Sequence, residues 1–287
     1  MRILVLGANG QLGSDLVRRW LDHRKDVVPA TRQDALVEDQ GTLCDLVARV
    51  RPAVVVNTTA WTNLPGCEED PAKALAVNAL GALHASRAAE AVGARLVHIS
   101  TDYVFDGTKG SPYIETDARN ALNVYGASKL AGEDLAFQGA SRVTVVRLAA
   151  LYGVAGASGK GGNFVETMLR LAAGPGPVRV VADQVTSPTN TAEVASALLD
   201  LIQSDMEGVV HLAPAGSCSW YDFATAIFDL AGAKSRPEPT SAAGYGGPVR
   251  RPAFSALASE RVTALPHWHD GLEHYFHARR QAAGAPS

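Results

Sequence analysis

Cysteine is scarce in this 287-residue chain. Cys44, Cys67 and Cys218 are too few and too scattered for a disulfide framework or a zinc site, so they are expected to be reduced thiols of a cytoplasmic protein, and no metal-ligand set is read. An excess of one charge is lacking too. The net charge is -3, and the 26 lysines and arginines are spread along the chain without a run, which excludes nucleic acid and an anionic membrane surface as expected partners. No apolar stretch approaches bilayer length. Met1 leads directly into a strand pattern, leaving no room for a cleavable leader, so neither a span nor a leader is expected. Internal repeats are absent as well. What is present is 47% hydrophobic content, enough for a large core in one big domain or two modest ones, and the expected partner is a small molecule.

The richest local pattern opens the chain. Arg2 to Leu6 reads as a buried parallel strand that runs straight into Gly7, Gly10 and Gly13, and a helix follows with Leu12, Leu16, Val17, Trp20 and Leu21 on its apolar face. Strand, glycine turn and helix in this order form the context of a dinucleotide site, although the spacing G-x-x-G-x-x-G is one residue wider at the start than the usual fingerprint. Gly7 permits the tight turn, Gly10 the approach of a pyrophosphate, and Gly13 the packing of helix on strand. An ordinary strand-to-helix turn is the alternative.

Strands and helices alternate from there. Strands are expected at 26–30, 53–57, 95–99 and 143–148, and a helix from a cap at Asp70-Pro71 through Ala74, Val77, Leu80 and Leu83 toward Val92. These elements predict an α/β fold, a doubly wound parallel sheet complete by about residue 150. Glycine, alanine and serine are then frequent at 153–162, 172–177 and 231–247, which are expected to be surface loops closing over a ligand. Between them come a helix at 163–172, a strand at 178–181 and helices at 191–202 and 221–230. Residues 151–277 are expected to be mainly the substrate side, and 278–287 a flexible tail.

Tyr125 and Lys129 stand four apart in Asn-Val-Tyr-Gly-Ala-Ser-Lys, on one face of a helix that starts there. A free phenol titrates near about 10, and a neighbouring cation lowers that value toward the working range of a proton donor. Carbonyl reduction needs such a donor, because hydride addition to carbon leaves charge on oxygen. The strand 95–99 ends at Ser100-Thr101, and ligands of open α/β sheets collect at the carboxyl ends of strands. Topology therefore sets Thr101 beside Tyr125 as a second hydrogen-bond donor to a carbonyl, with a plain capping hydroxyl as the alternative. Asn78 either supports the site and cofactor from the neighbouring helix or is a buried asparagine bonded to backbone. After the second strand, Thr31 and Arg32 stand where NAD sites place a carboxylate. A 2′-phosphate suits them, so NADPH is favoured, with NADH as the alternative.

These residues, with Ser100-Thr-Asp-Tyr-Val-Phe-Asp-Gly107, Gly162-Asn-Phe164, Asp183-Gln184, Ser187-Pro-Thr189 and Arg251-Pro252 in the same order, resemble the extended short-chain dehydrogenase/reductases and, within them, the dTDP-4-dehydrorhamnose reductase family. The likeness spans Arg2 to about His277 and implies that 151–277 form a smaller substrate-binding lobe, with a stretch around 187–210 returning to the first domain. It implies a Rossmann-type fold and NAD(P)H-dependent reduction of the 4-keto group of a nucleotide-linked deoxysugar by a monomer or homodimer. Within it Tyr125 is the general acid, Thr101 its partner, and Lys129 both tunes the acid and holds the nicotinamide ribose. A cofactor wall of Asn9, Gln11, Leu12, Thr59, Ala60 and Thr62 is implied beside the glycines. Asp102 and Tyr103 border the sugar, Asn163 and Phe164 meet the diphosphate and base, Asp183, Gln184, Ser187 and Thr189 form a sugar-nucleotide loop, and Arg251 offers a fork to the pyrophosphate.

Three departures lie near the implied substrate. Many relatives read Arg-Thr-Ser-Trp-Val-Tyr-Gly where this chain has Arg147-Leu-Ala-Ala-Leu-Tyr-Gly153, so Ala150 replaces an aromatic wall. Asn63-Leu-Pro-Gly66 follows Thr62 where relatives often carry Ala-Val-Asp, and Thr186 stands in place of a glycine. None removes Thr101, Tyr125 or Lys129. The particular sugar is left open, as are two other classes: an epimerase or dehydratase acting on a sugar nucleotide, which has no need of net reductant, and a cofactor-sensing regulatory subunit, indifferent to loss of the Tyr125 hydroxyl.

Overall fold

The computed structural model describes residues 1–155, 162–245, 247 and 249–284. Its centre is a parallel sheet built from β1 (Arg2–Leu6), β2 (Asp26–Ala30), β3 (Val54–Asn57), β4 (Arg95–Thr101) and β5 (Val143–Leu148), with Gly208–His211 added at the β5 edge. The spatial order is 208–211, β5, β4, β3, β1, β2. Order reverses after β1, so the crevice beyond the strand ends opens beside the glycine turn. All seven residues of β4 and all six of β5 are buried, as expected of strands covered on both faces.

One face is covered by the helices Gln11–Asp22 and Thr191–Gln203. Trp20, fully buried, joins them by donating its indole N–H to the Ala195 carbonyl at 2.7 Å. The other face is covered by Gln40–Val50, Gly81–Ala91 and Val124–Gly139, whose alanines allow close packing over Leu4, Val55 and Leu96. A separate apolar cluster of Phe223, Phe228, Leu272, Tyr275 and Phe276 is the core of the smaller lobe.

Four expectations change. The sheet is not complete at 150: Gly208–His211 pairs with β5 in register, because β5 would otherwise expose a row of unpaired backbone groups at a long apolar edge. The stretch 231–247 is not loop throughout, since Pro237–Thr240 pairs in parallel with Val178–Val181 and Ala242–Tyr245 is helical. The C-terminal helix Trp268–Gly284 continues into the expected tail, held where Arg279 grips Glu166 at 2.6 Å. Residues 285–287, and 156–161 of the expected loop at 153–162, lie outside the described residues. Finally, the helix begun by the Asp70 cap is interrupted by a π-helical turn at Ala76–Leu80, with ordinary helix on either side.

Candidate active site

A cleft of about 610 Å³ lies at the carboxyl ends of the strands between sheet and lobe. The glycine turn makes one wall. Gly7 has φ +79° and donates to the Ala30 carbonyl at 2.9 Å; an L side chain there is strained, and a Cβ would meet Thr58 Oγ1 at 2.8 Å. A Cβ at Gly13 would run into the Gly7 carbonyl oxygen and approach Ala8 Cα to 2.9 Å, so helix packs directly on turn. Gly10 caps that helix without a side chain, leaving its first amides and positive dipole end open to an anion. Gly10, Gln11 and Leu12 line the cleft, and Gln11 Oε1 is buried without a partner among the described residues. Asn9 is exposed on the turn. Arg32, exposed beyond β2, has no ion pair among the described residues. These features fit a dinucleotide: open amides for the pyrophosphate, an unmet amide oxygen, and a guanidinium available to a 2′-phosphate.

The opposite wall carries the proton-transfer groups. Thr101 ends β4 and Asp102 begins the turn that follows it, and Asn123 caps the Val124–Gly139 helix by accepting from Gly126 N at 2.8 Å. That cap places Tyr125 in the first turn and Lys129 one turn on. Both line the cleft with Thr101, Asp102 and Tyr103. The Tyr125 hydroxyl is hydrogen-bonded to Thr101, while burial pushes its pKa up; nearby Asp102 adds to the rise. Lys129 Nζ donates to the Ile99 carbonyl at 2.6 Å and lies 3.3 Å from His98 Nε2. Burial brings Lys129 down to about 8, against the opposing pull of Glu133. Tyr125 is a neutral phenol, which is the form that can donate.

Beneath them is a buried ion pair. Glu133, two turns along from Tyr125, takes both arms of Arg147 from β5 at 2.8 and 2.7 Å and a hydroxyl hydrogen from Ser100 at 2.5 Å. Burial alone would raise its carboxyl; Arg147, Ser100 and Arg119 outweigh burial and hold it below the ordinary range. Asp102 differs: burial raises it to about 6, even though Ser255 and Thr101 donate to it at 2.6 and 3.1 Å. It has no cationic partner among the described residues.

On the lobe side Asn163, Phe164, Gln184 and Arg251 line the cleft as expected, as do Ala60 and Thr62 nearer the sheet. Phe164 stacks on Phe223 and lies 4.6 Å from Trp220. Trp220 lines the cleft as well and offers the aromatic surface that Ala150 lacks. Ala150 itself lines the cleft at φ +44°, and Thr186 Oγ1 there is buried without a partner among the described residues.

Seven of the residues expected to contact a ligand have protein partners. Thr59 gives its amide and hydroxyl to Asn57 Oδ1 at 3.1 and 2.6 Å. Asn78, 1% exposed, accepts from Trp61 N and donates to Trp61 O and Ser128 Oγ, so it ties the π turn to its neighbours. Thr31 donates its hydroxyl to Asp34 at 3.0 Å. A carboxylate therefore does stand after β2, but it is folded back on Thr31. Asp183 is exposed and caps the helix at Ala242 by accepting at 2.7 Å. Ser187 and Thr189 are buried scaffold groups, one accepting from Leu257 N and the other donating to Ser187 O. Asn163 reaches the cleft, yet its amide is committed to Glu166 N and the Gly153 carbonyl, so it sets the start of its helix. Asn57, His98, Glu133, Ser255 and Trp220 were not anticipated; only Trp220, an aromatic opening a helix after Ser219, carried a readable signal.

The chain as a whole is similar to known proteins. The chain is 41% identical to "dTDP-4-dehydrorhamnose reductase" of Mycobacterium tuberculosis over 94% of its length and 91% of that protein. It is 37% identical to "Spore coat polysaccharide biosynthesis protein SpsK" of Bacillus subtilis over 98% and 99%. The crystal structure of dTDP-4-dehydrorhamnose reductase from Bacillus anthracis in complex with NADP superposes with a TM-score of 0.91 at 34% identity, covering 96% and 99% of the two chains. The family model described as RmlD substrate binding domain matches residues 1–281, and with these identities the chain belongs to the dTDP-4-dehydrorhamnose reductase family.

Proposed function

We propose that this protein is an NAD(P)H-dependent oxidoreductase that reduces the 4-keto group of a dTDP-linked 6-deoxysugar. The observation that carries the reading is the convergence of Thr101, Tyr125 and Lys129 on one cleft whose facing wall is the open amide end of the glycine turn. The bound cofactor supplies hydride to the keto carbon. Tyr125, kept neutral by burial, donates its proton to the carbonyl oxygen as charge develops there, and the Thr101 hydroxyl, turned from Asp102 to the substrate, holds that oxygen with a second hydrogen bond. Lys129, as an ammonium, favours the phenolate left behind and holds the ribose. Gly10, Gln11, Leu12 and Arg32 bind the dinucleotide; Ala60 and Thr62 border it.

On the substrate side Arg251 binds the diphosphate, Phe164 and Trp220 pack against the base, and Asp102, Tyr103 and Gln184 border the sugar. NADPH is the preferred reductant, supported by Arg32 and by the NADP in the relative's crystal structure. Among the described residues no helix is long and apolar enough to cross a membrane. A cytoplasmic setting and a monomeric or homodimeric state complete the proposal.

The test is a panel of dTDP- and UDP-4-keto sugars, with NADPH oxidation followed optically and the product identified. Consumption of NADPH with a dTDP-4-keto-6-deoxysugar is expected. Turnover without net NADPH loss would instead fit an epimerase.

A further inference from the structure

Behind Lys129 lies a buried chain of hydrogen bonds that the reduction as written does not use. Asn57 on β3 and His98 on β4 are register partners, both 1% exposed. The Thr59 backbone amide, which can only donate, points at one oxygen of the Asn57 amide at 3.1 Å. That assigns Oδ1 to the Thr59 side and turns Nδ2, a donor, toward His98 Nδ1 at 3.3 Å. His98 Nδ1 is then an acceptor. Burial first, and Lys129 second, hold the His98 pKa well below its ordinary value, so the ring is neutral and its single proton is on Nε2. That nitrogen is 3.3 Å from Lys129 Nζ.

An amine with its lone pair toward Nε2–H satisfies this geometry, and one of its hydrogens reaches the Ile99 carbonyl at 2.6 Å. An ammonium has no lone pair and turns a hydrogen against Nε2–H. We propose that His98 is a positioning residue for the reduction, donating Nε2–H to Lys129 and opposing the ammonium, and thereby setting the pH at which the lysine's charge and the activity are lost. The inference rests on the proposed reductase reading. The other charged or titratable neighbours act from known places: Glu133 on the same helix favours the ammonium and is itself committed to Arg147 of β5 and to Arg119, and Tyr125 one turn back is neutral. The π turn meets this helix through Asn78, which is uncharged and donates to Ser128 Oγ.

Two measurements decide it. In wild-type protein labelled with nitrogen-15 at histidine, the His98 resonances, identified by their loss in His98→Gln, are expected to show the proton on Nε2; a proton on Nδ1 overturns the proposal. In Asn57→Asp the carboxylate can still accept from Thr59 but now also from Nδ1–H, which turns Nε2 into an acceptor for the ammonium. The basic limb of the pH profile of kcat/KM is expected to rise by about one pH unit or more. His98→Gln, whose amide can repeat the original pattern, is expected to leave the limb in place.

A limb unmoved in Asn57→Asp, with the rate lowered evenly at every pH, shows a merely structural contact and overturns the proposal. If Asn57→Asp does not fold, the wild-type resonances still read one tautomer or the other. Failure of wild type to turn over any keto sugar would count against the reductase reading instead, and leaves the tautomer measurement intact.

Discussion

Asn78 Nδ2 donates to Ser128 Oγ at 2.9 Å, and Ser128 Oγ donates onward to the Tyr125 carbonyl at 2.7 Å. The π turn at Ala76–Leu80 is thus tied to the helix that carries both proton-transfer groups. The two backbones are close enough that a Cβ at Gly132 would collide with the Asn78 carbonyl. Single π turns persist where the displaced backbone is held by its surroundings, often at functional sites, and Asn78 holds this one. Asn78→Ala leaves Trp61 and Ser128 partners unmet in the interior, and should cost about 1 to 3 kcal/mol in stability. A urea titration checks this, together with a fall in kcat larger than any change in the KM for NADPH.

Tyr125→Phe removes the donor and keeps the ring packed against Tyr103 at 5.8 Å. The expected loss in kcat is roughly 10²- to 10⁴-fold, with NADPH affinity unchanged by fluorescence titration. An unchanged turnover with normal binding would point to the regulatory class.

Arg32→Ala should raise the KM for NADPH roughly 10- to 100-fold, the effect of losing a charge-assisted hydrogen bond, and leave that for NADH nearly as it was. Initial rates with the two reductants separate the outcomes. Equal effects would remove the basis for preferring NADPH.

Asp102 makes stability depend on pH. Burial raises its folded-state pKa from 3.8 to about 6, so between these values the native chain binds the proton more tightly than the unfolded one. Its contribution is fully present below the unfolded value and is lost as pH rises through about 6. At 1.36 kcal/mol per unit the loss is about 3 kcal/mol. Denaturant midpoints of wild type and Asp102→Asn, compared across that window, should diverge accordingly, with wild type falling relative to the variant.

The sheet strands were legible because each carries β-branched or aliphatic residues in a short run, clearest in Val54–Asn57 after Pro52 and in Arg2–Leu6 before Gly7, and the glycine turn because only small residues fit its geometry. Tyr125 and Lys129 were legible because one helical turn separates them. The sixth strand was harder: Gly208–His211 is four residues long, and its partner β5 lies far back in the chain. Asn57 and His98 face each other only through strand register, which spacing along the chain does not show. Thr31, Thr59, Asn78, Asp183, Ser187 and Thr189 have the right polarity for ligand contacts, but Thr31, Thr59 and Thr189 bond to neighbours two or three residues away, and Asn78, Asp183 and Ser187 meet partners that folding brings from far along the chain. Polarity at the right place in the order could suggest a site; it could not say which polar groups remained unmet.

The most direct test is isotope transfer. Incubated with NADPH bearing deuterium on the transferable C4 position and a dTDP-4-keto-6-deoxysugar, wild-type protein should deliver deuterium to C4 of the sugar with a new hydroxyl there, and Tyr125→Phe should slow that delivery. A product with no deuterium at C4, or no consumption of the reductant with any such sugar, would contradict the account.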